Sequence, residues 1–509
     1  MERETWSKRS YFIFAALGSA IGLGNLWRFP YLSYKYGGGA FLIAYIISLF
    51  FMGVPWLIVE FGMGKYFQSS APGVFKGIGK KWEWLGWWPV FCAFLIDTYY
   101  AVIMAWALRY VGAAITMAWG KGEAGAQATS SFFFEKVLQL SSGPEELGTP
   151  VGTLVFCLLV VWVVIFLVIY RGTKVIGPVS QYVMIIAWIT LVILVIRGIT
   201  LPGALQGLDY YLSPDFSKLG NLDMWFAALS QIAFTLSLGM AGMYSYGSFM
   251  KQKSDVNNNA LITSLGDGAT SYFAGFAVFS VVGFLMQSLA IPVEQVSTSS
   301  VGLAFVTWPA AISMLPGANS FFGVAFFICL FLVGLSSAYF LAYGGVISPL
   351  MDKFGWSRIK TTAVFCIVSF LIGILFTTNG GLYWGPDLLD RAVSFYGILI
   401  TGVLACLVVG WVFPASKLRE YVNKTSEFKI GVWFDWMVKL VVPVGLAFVV
   451  IYGGFIPDIK ASYGGYPRWA SNFVWIVLVV TFILSFVLQS LKTKGDSIGS
   501  SSKSEVKEK

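Results

Sequence analysis

The sequence predicts an all-α polytopic membrane protein with about 12 transmembrane helices, in a five-plus-five inverted repeat with broken helices 1 and 6. Three observations lead to this fold class. The 509-residue chain is 57% hydrophobic and only 12% charged, outside the composition of ordinary soluble domains. Its apolar residues form twelve segments, each able to supply the roughly 20 residues of a membrane helix. Two of these segments, five apart, are interrupted near their middle by glycines and polar residues.

The chain is predicted to form one transmembrane domain over residues 1–491, of which 1–10 are a cytoplasmic N-terminus. The repeats cover about 11–198 and 224–413, and two extra helices occupy about 432–491. Residues 492–509, mostly Ser, Lys, Glu and Gly, are predicted to be a disordered cytoplasmic tail. Lys and Arg collect in alternate short loops, which places both termini in the cytoplasm. The net charge of +9 therefore reflects membrane topology, and no nucleic-acid partner is predicted.

The twelve predicted spans follow one another with short connections. Spans 1 to 12 lie at about 11–36, 40–67, 86–115, 150–170, 175–198, 224–250, 259–290, 321–350, 360–378, 388–413, 432–456 and 469–491. The polar, Gly-rich stretch 116–149 and the stretch 199–223 are predicted to be outer loops. The stretch 291–320 contains Pro292, Pro309 and Pro316, and a helical hairpin that caps the outer mouth is predicted there.

Span 1 contains residues that a membrane helix normally avoids. Gly22, Gly24, Asn25 and Pro30 interrupt it at membrane depth. Each Gly costs about 1 kcal/mol relative to Ala, and Pro removes a backbone donor. A break leaves backbone groups unpaired, which is tolerated in a membrane only where the break lines a cavity enclosed by protein. The sequence therefore predicts a binding site near the midplane.

Span 6 repeats this pattern, with Thr235 and Ser237 followed by Gly239 and Gly242 in its middle. Because span 6 comes five spans after span 1, an odd offset, corresponding helices have opposite orientations, as an inverted repeat requires. Span 2 carries an intramembrane carboxyl group, Glu60. A structural role, in which this carboxyl hydrogen-bonds the broken end of a neighbouring helix, is favoured over a functional one.

The polar side chains inside the spans all offer oxygen atoms. They are Asn25, Thr235, Asp267, Ser271, Ser336 and Ser337. Hard ligands with a single carboxylate suit a monovalent cation better than zinc or calcium, and sodium is the simplest interpretation. The chain has no His, and its five Cys all lie in apolar spans, where small buried hydrophobic residues are expected.

A broken helix also exposes a half-helix N-terminus, which attracts a carboxylate. Gly22 and Gly24 let a small anion approach that backbone, so an amino acid would fit, with Ile96, Phe234 and Met240 in apolar contact. Taken alone, the Gly-x-x-x-Gly pattern at 18–22 is typical of helix packing, and a Ser in a span usually bonds its own helix. The coincidence of two breaks, an intramembrane Asp and two adjacent serines favours a site.

At these residues the chain resembles the neurotransmitter:sodium symporter family, solute carrier family 6, and looks most similar to its bacterial amino-acid transporters. The motifs are A-I-G-L-G-N-L-W-R-F-P-Y and G-G-G-A-F, T-Y-Y-A-V-I-M-A-W-A-L in span 3, S-Q-I-A-F-T-L-S-L-G in span 6, A-T-S-Y-F-A-G-F in span 7 and G-L-S-S in span 8. The resemblance covers at least spans 1 to 10.

The resemblance implies two sodium sites, a substrate site and two gates. The first sodium site would be Ala20, Asn25, Thr235 and Asp267 with the substrate carboxylate. The second would be Gly18, Ile21, Val333, Ser336 and Ser337. The substrate would contact Ala20, Leu23, Gly24, Ile96, Tyr100, Phe234, Thr235, Ser237, Met240, Ser337 and Leu341. An outer gate would pair Arg28 with Asp390, and an inner gate would join Arg3, Trp6, Asp352 and Ser248.

Two departures from the family bear on the substrate and on chloride. Gly22 stands where monoamine carriers have Asp, which disfavours an amine without its own carboxylate. Asp267 stands where chloride-binding animal members have Asn, although the chloride-like residues Tyr45, Gln231 and Ser271, with Thr235, match parts of their site. A fixed negative charge should replace the anion, so chloride independence is predicted. The absence of the animal disulfide and of an outer glycosylation sequon favours a prokaryotic plasma membrane.

The resemblance thus implies a sodium-coupled symporter that imports neutral, hydrophobic amino acids by alternating access. Its partners would be the amino acid, sodium ions and the lipid membrane, with a monomer as the functional unit and a dimer left open. The alternatives are a substrate-gated channel or a non-transporting sensor of this fold, and a carrier of gamma-aminobutyrate or glycine. The sequence contains no repeated ring typical of channels, and no nucleophile with its base that would indicate an enzyme.

Overall fold

The computed structural model describes residues 3–290 and 300–493, and it confirms an all-α polytopic membrane protein. Ten of the described helices are long and apolar enough to cross a membrane, and the bent pair Arg9–Ala20 and Gly24–Lys35 adds an eleventh. Span 6 consists of two short helices, Leu222–Thr235 and Gly242–Ser248, which this length criterion leaves out. The predicted number of twelve therefore depends on span 6 being one broken crossing.

The other spans are long helices whose bounds agree with the hydropathy pattern to within a few residues, except at the ends of spans 3 and 11. Spans 2 to 5 are Gly39–Phe67, Lys80–Thr116, Gly152–Ile169 and Thr173–Ile199. Spans 7 to 12 are Val256–Leu289, Asn319–Phe354, Arg358–Leu375, Tyr383–Val412, Trp433–Gly465 and Arg468–Ser490. Span 3 begins earlier and span 11 ends later than predicted, because polar helical turns continue each apolar run.

Span 1 breaks where the sequence predicts. Its first helix ends at Ala20, Ile21 has an extended backbone conformation, and the two helices are bent by 50°. The side chain of Asn25 accepts a hydrogen bond from the backbone N–H of Gly22 at 2.8 Å. This bond satisfies one of the donors that the break leaves without an intrahelical partner.

Span 6 breaks just after Thr235, in a backbone conformation that glycine normally adopts. Ser237, Gly239 and Ala241 have positive φ angles of 51°, 69° and 61°, and two of them carry side chains that disfavour this region. The carboxyl of Glu60 accepts the backbone N–H of Gly239 at 2.8 Å. The predicted structural role of Glu60, a bond to the broken end of a neighbouring helix, is confirmed.

The two breaks lie against each other. Ser237 Oγ donates to the carbonyl of Ser19 at 2.9 Å, and Thr235 Oγ1 donates to the carbonyl of Ala20 at 3.4 Å. These carbonyls belong to the last turn of the first helix, where intrahelical donors are missing. Side chains of span 6 therefore satisfy the broken end of span 1. The inverted repeat itself remains a prediction.

The stretch 116–149, predicted as a loop, contains ordered helix. Gly122–Ser131 is α-helical and continues into a π-helical turn at Phe132–Val137. The rings of Phe132 and Phe133 pack on Tyr110 of span 3, with centroids 5.6 and 6.1 Å away. The stretch is mostly polar, so its composition does not indicate that these two phenylalanines pack it against the spans.

The stretch 199–223 also contains a helix, Ala204–Leu212. Of the predicted hairpin at 291–320, residues 291–299 lie outside the described residues, and the remainder contains a helix, Leu303–Met314. The predicted disordered tail lies outside the described residues from 494 onward.

Candidate functional site

A small cavity of about 20 Å³ lies between the two breaks, and we call it the central cavity. It is lined by Ser19, Ala20, Gly22, Gly24, Asn25, Ile96, Tyr100, Phe234, Thr235, Ser237, Met240, Ser337 and Leu341. Ten of the eleven residues predicted to contact substrate are among them; Leu23 instead lines the cavity on the outer side. The volume suits a water molecule or an ion, so an amino acid requires the walls to move apart.

Backbone and hydroxyl groups meet at the break of span 1. The N–H of Leu23 donates to the hydroxyl of Tyr100 at 3.1 Å. A Cβ on Gly22 would lie 2.8 Å from Ser337 Oγ and 3.2 Å from the Tyr100 hydroxyl. A Cβ on Gly24 would lie 3.1 Å from the ring of Phe234. A side chain at position 22 would therefore enter the space beside Ser337 and Tyr100, and one at position 24 would press on Phe234.

The residues predicted for the first sodium site meet around Asp267, which is fully buried. Its Oδ1 accepts hydrogen bonds from Asn25 Nδ2 at 2.7 Å and from Thr235 Oγ1 at 2.9 Å. Thr235 also reaches the carbonyl of Ala20. The Asn25 amide and the Thr235 hydroxyl thus contact one carboxylate, and the carbonyl of Ala20 lies beside the same hydroxyl. This hard donor set is compatible with a monovalent cation.

The residues predicted for the second sodium site lie where span 8 crosses the end of the first helix. Ser337 Oγ donates to the carbonyls of Gly18 and Ser19 at 3.4 and 3.2 Å, and Ser336 Oγ donates to Val333 O at 2.7 Å. A Cβ on Gly18 would lie 3.1 Å from Ser336 Cβ, so the two helices approach closely. Ile21, the remaining member, is buried at the break.

Of the chloride-like residues, Tyr45 and Ser271 contact the same carboxylate. The Tyr45 hydroxyl donates to Asp267 Oδ2 at 3.2 Å and lies 3.4 Å from Ser271 Oγ. Ser271 also accepts a hydrogen bond from Asn25 at 2.8 Å. Gln231, on span 6, does not hydrogen-bond this carboxylate. Its amide donates to the carbonyl of Gly24 at 3.4 Å. A carboxylate oxygen therefore lies beside the groups that the resemblance assigns to an anion.

A second cavity of about 370 Å³, the outer cavity, adjoins the central cavity, and Tyr100 and Phe234 line both. Arg28 and Asp390, the predicted outer gate, both line the outer cavity. Within the described part of the chain they form no ion pair within 4 Å. Arg28 lies over the ring of Phe234, 5.0 Å from its centroid, and Asp390 accepts from the Tyr99 hydroxyl at 2.6 Å.

The four residues of the predicted inner gate lie together at the opposite end. Arg3 pairs with Asp352, and its Nη2 donates to Ser248 Oγ at 2.6 Å. Trp6 is buried, and its backbone N–H donates to the carbonyl of Phe249 at 3.0 Å. These contacts hold the N-terminal segment across spans 6 and 8. The N-terminal segment thus closes this end of the spans, whereas the larger cavity lies toward the opposite end.

A second set of contacts, which the sequence motifs do not indicate, is made by the neighbouring residue, Glu4. Its Oε2 pairs with Arg358 at 3.1 Å and accepts a hydrogen bond from Thr173 Oγ1 at the same distance. Its Oε1 accepts a hydrogen bond from Tyr343. Glu4 thereby links the N-terminal segment to spans 5, 8 and 9. The adjacent opposite charges of Arg3 and Glu4 were the only available signal.

The outer side holds another missed cluster. Asp387 accepts hydrogen bonds from the hydroxyls of Tyr463, at 3.0 Å, and Tyr466. All three residues line the outer cavity. They connect span 10 to the end of span 11 and to the short segment that follows it.

Two opposed helix breaks with a cavity and buried oxygen atoms between them are typical of a multi-pass membrane transporter rather than an enzyme. The chain belongs to the sodium:neurotransmitter symporter family, whose family model matches residues 3–128 and 121–494. It is therefore a sodium-dependent transporter of that family.

Several known proteins match the chain over nearly its whole length. An uncharacterized sodium-dependent transporter of Methanocaldococcus jannaschii is 40% identical, over 97% of this chain and 99% of that protein. The sodium- and chloride-dependent taurine transporter of Homo sapiens is 31% identical, over 97% of this chain and 86% of that protein. The sodium- and chloride-dependent GABA transporter 2 of Rattus norvegicus is 30% identical, over 95% and 85%.

Proposed function

We propose that this chain imports neutral, hydrophobic amino acids together with sodium, by alternating access and without a requirement for chloride. The observation that carries this proposal is the central cavity, in which a hydroxyl and two glycines at a helix break face an apolar wall. The polar side matches an amino-acid carboxylate, and the apolar side matches a hydrocarbon side chain.

The substrate carboxylate would lie at the break of span 1. Its binding partners would be the backbone of Leu23 and Gly24 and the hydroxyl of Tyr100, which accepts from Leu23 and retains its own proton for donation. Ile96, Phe234, Ser237, Met240, Ser337 and Leu341 would surround the rest of the molecule. An aspartate at position 22 would enter the space of Ser337 and repel the carboxylate, so the glycine favours an amino acid over a simple amine.

Two sodium ions would travel with the substrate. One would lie among Ala20, Asn25, Thr235 and Asp267 and share the substrate carboxylate. The other would lie among Gly18, Ile21, Val333, Ser336 and Ser337. Because the first ion and the substrate would share ligands, each would raise the affinity for the other, which is the basis of coupling.

Chloride independence is proposed because Asp267 is buried beside Tyr45 and Ser271. A sodium ion brings positive charge into a low-dielectric region, where a nearby negative charge is strongly favourable. Asp267 supplies that charge permanently. Relatives whose names include chloride dependence are expected to need the free anion in its place.

The described contacts support an arrangement in which the inner gate is closed and the outer cavity adjoins the substrate site. Import would require Arg28 and Asp390 to close over Tyr100 and Phe234, and the contacts of Arg3 to separate afterwards. We place both termini in the cytoplasm and the chain in the plasma membrane of a prokaryote, with a monomer as the transporting unit.

Uptake into proteoliposomes tests the proposal. Leucine, alanine and other neutral amino acids are compared with taurine and gamma-aminobutyrate, under an inward sodium gradient and with choline in its place. We expect concentrative, saturable uptake of a hydrophobic amino acid that needs sodium and is equal in chloride and gluconate. Uptake limited to taurine or gamma-aminobutyrate would refute the substrate class. Loss of uptake in gluconate would refute chloride independence alone.

A further inference from the structure

A third cavity, of about 220 Å³, lies away from the transport pathway, and we call it the lateral groove. Spans 3, 8, 9 and 12 all contribute to it. Its lining residues are Val90, Phe91, Phe94, Val346, Leu350, Trp356, Thr361, Val364, Phe365, Val368 and Leu488. Apart from the Trp356 indole, the only polar side chain in this lining is Thr361. Its hydroxyl donates to the carbonyl of Ser357 at 3.0 Å. The walls of the groove therefore suit a hydrocarbon chain.

The lateral groove opens toward the lipid-facing side of span 9. Val364, which lines it, is 45% exposed, and Ile367 and Leu371 on the adjoining face are 60% and 57% exposed. Apolar side chains with this exposure in a membrane protein face hydrocarbon. A concave apolar surface in that position is accessible to an acyl chain without crossing the protein.

The charged end of the groove determines which lipid fits. Trp356 lies two residues before span 9, and the ammonium of Lys360 lies 5.6 Å from the centroid of its ring. Lys360 is exposed and forms no ion pair within 4 Å to any residue in 3–290 or 300–493. The neighbouring Arg358 is already paired with Glu4, and the acidic Glu83 nearby is paired with Lys353 at 2.6 Å. One cation therefore remains available beside an indole ring.

We propose that the lateral groove binds one phospholipid with an anionic headgroup, its acyl chain against Val364 and Phe365 and its phosphate beside Lys360. In the proposed topology this end is cytoplasmic, where a Lys near the surface attracts anionic lipid by about fivefold. An indole at the headgroup level, as at Trp356, is typical of this interface.

The bound lipid would contact the helix that carries the inner gate. Val346 and Leu350 line the groove, and the same helix, Asn319–Phe354, carries Leu341 of the central cavity and Asp352 of the inner gate. An acyl chain packed on this helix favours its present position. A lipid in the groove would therefore touch the helix that carries part of the inner gate.

The test uses the full-length protein, delipidated in detergent and then exposed to equal amounts of phosphatidylglycerol and phosphatidylcholine. Native mass spectrometry counts the bound lipids. We expect one retained phosphatidylglycerol per chain, preferred about fivefold over phosphatidylcholine. Val364→Trp and Val368→Trp fill the groove and should abolish this retention. Ile367→Trp, on the adjoining face of the same helix, should leave it unchanged.

The headgroup is tested separately. Lys360→Gln should keep a lipid in the groove but lose the fivefold preference, whereas Lys429→Gln, at another exposed lysine, should keep it. Sodium-dependent uptake verifies that each variant is folded. Equal retention of phosphatidylglycerol by Val364→Trp and Ile367→Trp would overturn the proposal. So would a change of oligomeric state in Val364→Trp without loss of lipid, which would mean that a second copy of the chain covers the groove.

Discussion

Asn25 and Asp267, 242 residues apart in the chain, are joined by a hydrogen bond of 2.7 Å from the Asn25 amide to the Asp267 carboxylate. Both side chains are fully buried. The same carboxylate accepts hydrogen bonds from Thr235 of span 6 and Tyr45 of span 2. Four spans therefore meet on one negative charge, and changes to that charge should alter how the transporter depends on ions.

Replacing this charge should create a requirement for chloride. Asp267→Asn removes the carboxylate and leaves the Tyr45 and Ser271 hydroxyls to bind an anion. We expect uptake in gluconate to fall at least about tenfold, as loss of one charge-assisted interaction implies, while chloride restores it. The measurement is sodium-dependent uptake in the two anions. Asp223→Asn, an exposed control at the start of span 6, should show no anion effect. Equal uptake of Asp267→Asn in both anions would contradict the prediction.

The hydroxyl of Tyr100 should act on the substrate carboxylate. Tyr100→Phe removes it and leaves the N–H of Leu23 without that acceptor. A hydrogen bond to a charged group contributes about 1.5–3 kcal/mol, so the apparent KM should rise about 10- to 150-fold. Tyr110→Phe is a matched control. Tyr110 lies on the same helix as Tyr100, but its hydroxyl donates to the carbonyl of Phe305, away from the central cavity. An equal rise in both variants would mean that the effect is structural.

The space beside Gly22 should be needed for binding. In Gly22→Ala the new Cβ would lie 2.8 Å from Ser337 Oγ and 3.2 Å from the Tyr100 hydroxyl. Such overpacking costs about 1–3 kcal/mol, so substrate affinity measured by scintillation proximity should fall about tenfold or more. Gly445→Ala, where no atom lies within 4 Å of the added Cβ, should bind normally. Unchanged affinity in Gly22→Ala would show that substrate lies elsewhere.

Much of this arrangement could be predicted because membrane helices rarely combine glycine, proline and polar residues near their middle. The break of span 1 could be located from Gly22, Gly24, Asn25 and Pro30, and the apolar runs gave most span bounds to within a few residues. The bond from Gly239 to Glu60 could also be anticipated. A broken helix needs acceptors and donors, and an intramembrane carboxyl can supply one.

Other features depend on contacts between distant parts of the chain, which the local sequence does not indicate. The positive φ angles of Ser237 and Ala241 occur at residues that normally avoid them, so only tertiary contacts explain them. The contacts of Glu4 reach residues between 169 and 354 positions away. The separation of Arg28 from Asp390 depends on how far the outer cavity is open, which residue types alone do not determine.

Glu60 should stabilise the fold as a hydrogen-bond acceptor for Gly239, and its negative charge should not be required. Glu60→Gln keeps an oxygen for the N–H of Gly239, whereas Glu60→Leu leaves that buried donor unsatisfied. The latter costs about 1–3 kcal/mol. Thermal unfolding of the purified protein should therefore show a lower Tm for Glu60→Leu than for Glu60→Gln, which should keep most of its uptake. Equal destabilisation by the two substitutions would indicate that the negative charge itself is required.

Glu4 should help to keep the inner end closed. Glu4→Gln weakens the ion pair with Arg358, which is partly exposed and therefore modest in strength. We expect hydrogen exchange at the Trp6 amide, which donates to Phe249 at 3.0 Å, to accelerate about two- to fivefold. Mass spectrometry of the N-terminal peptide measures this rate, and Lys8→Gln serves as a control. If Arg3→Gln accelerates exchange and Glu4→Gln does not, Arg3 alone closes the inner end.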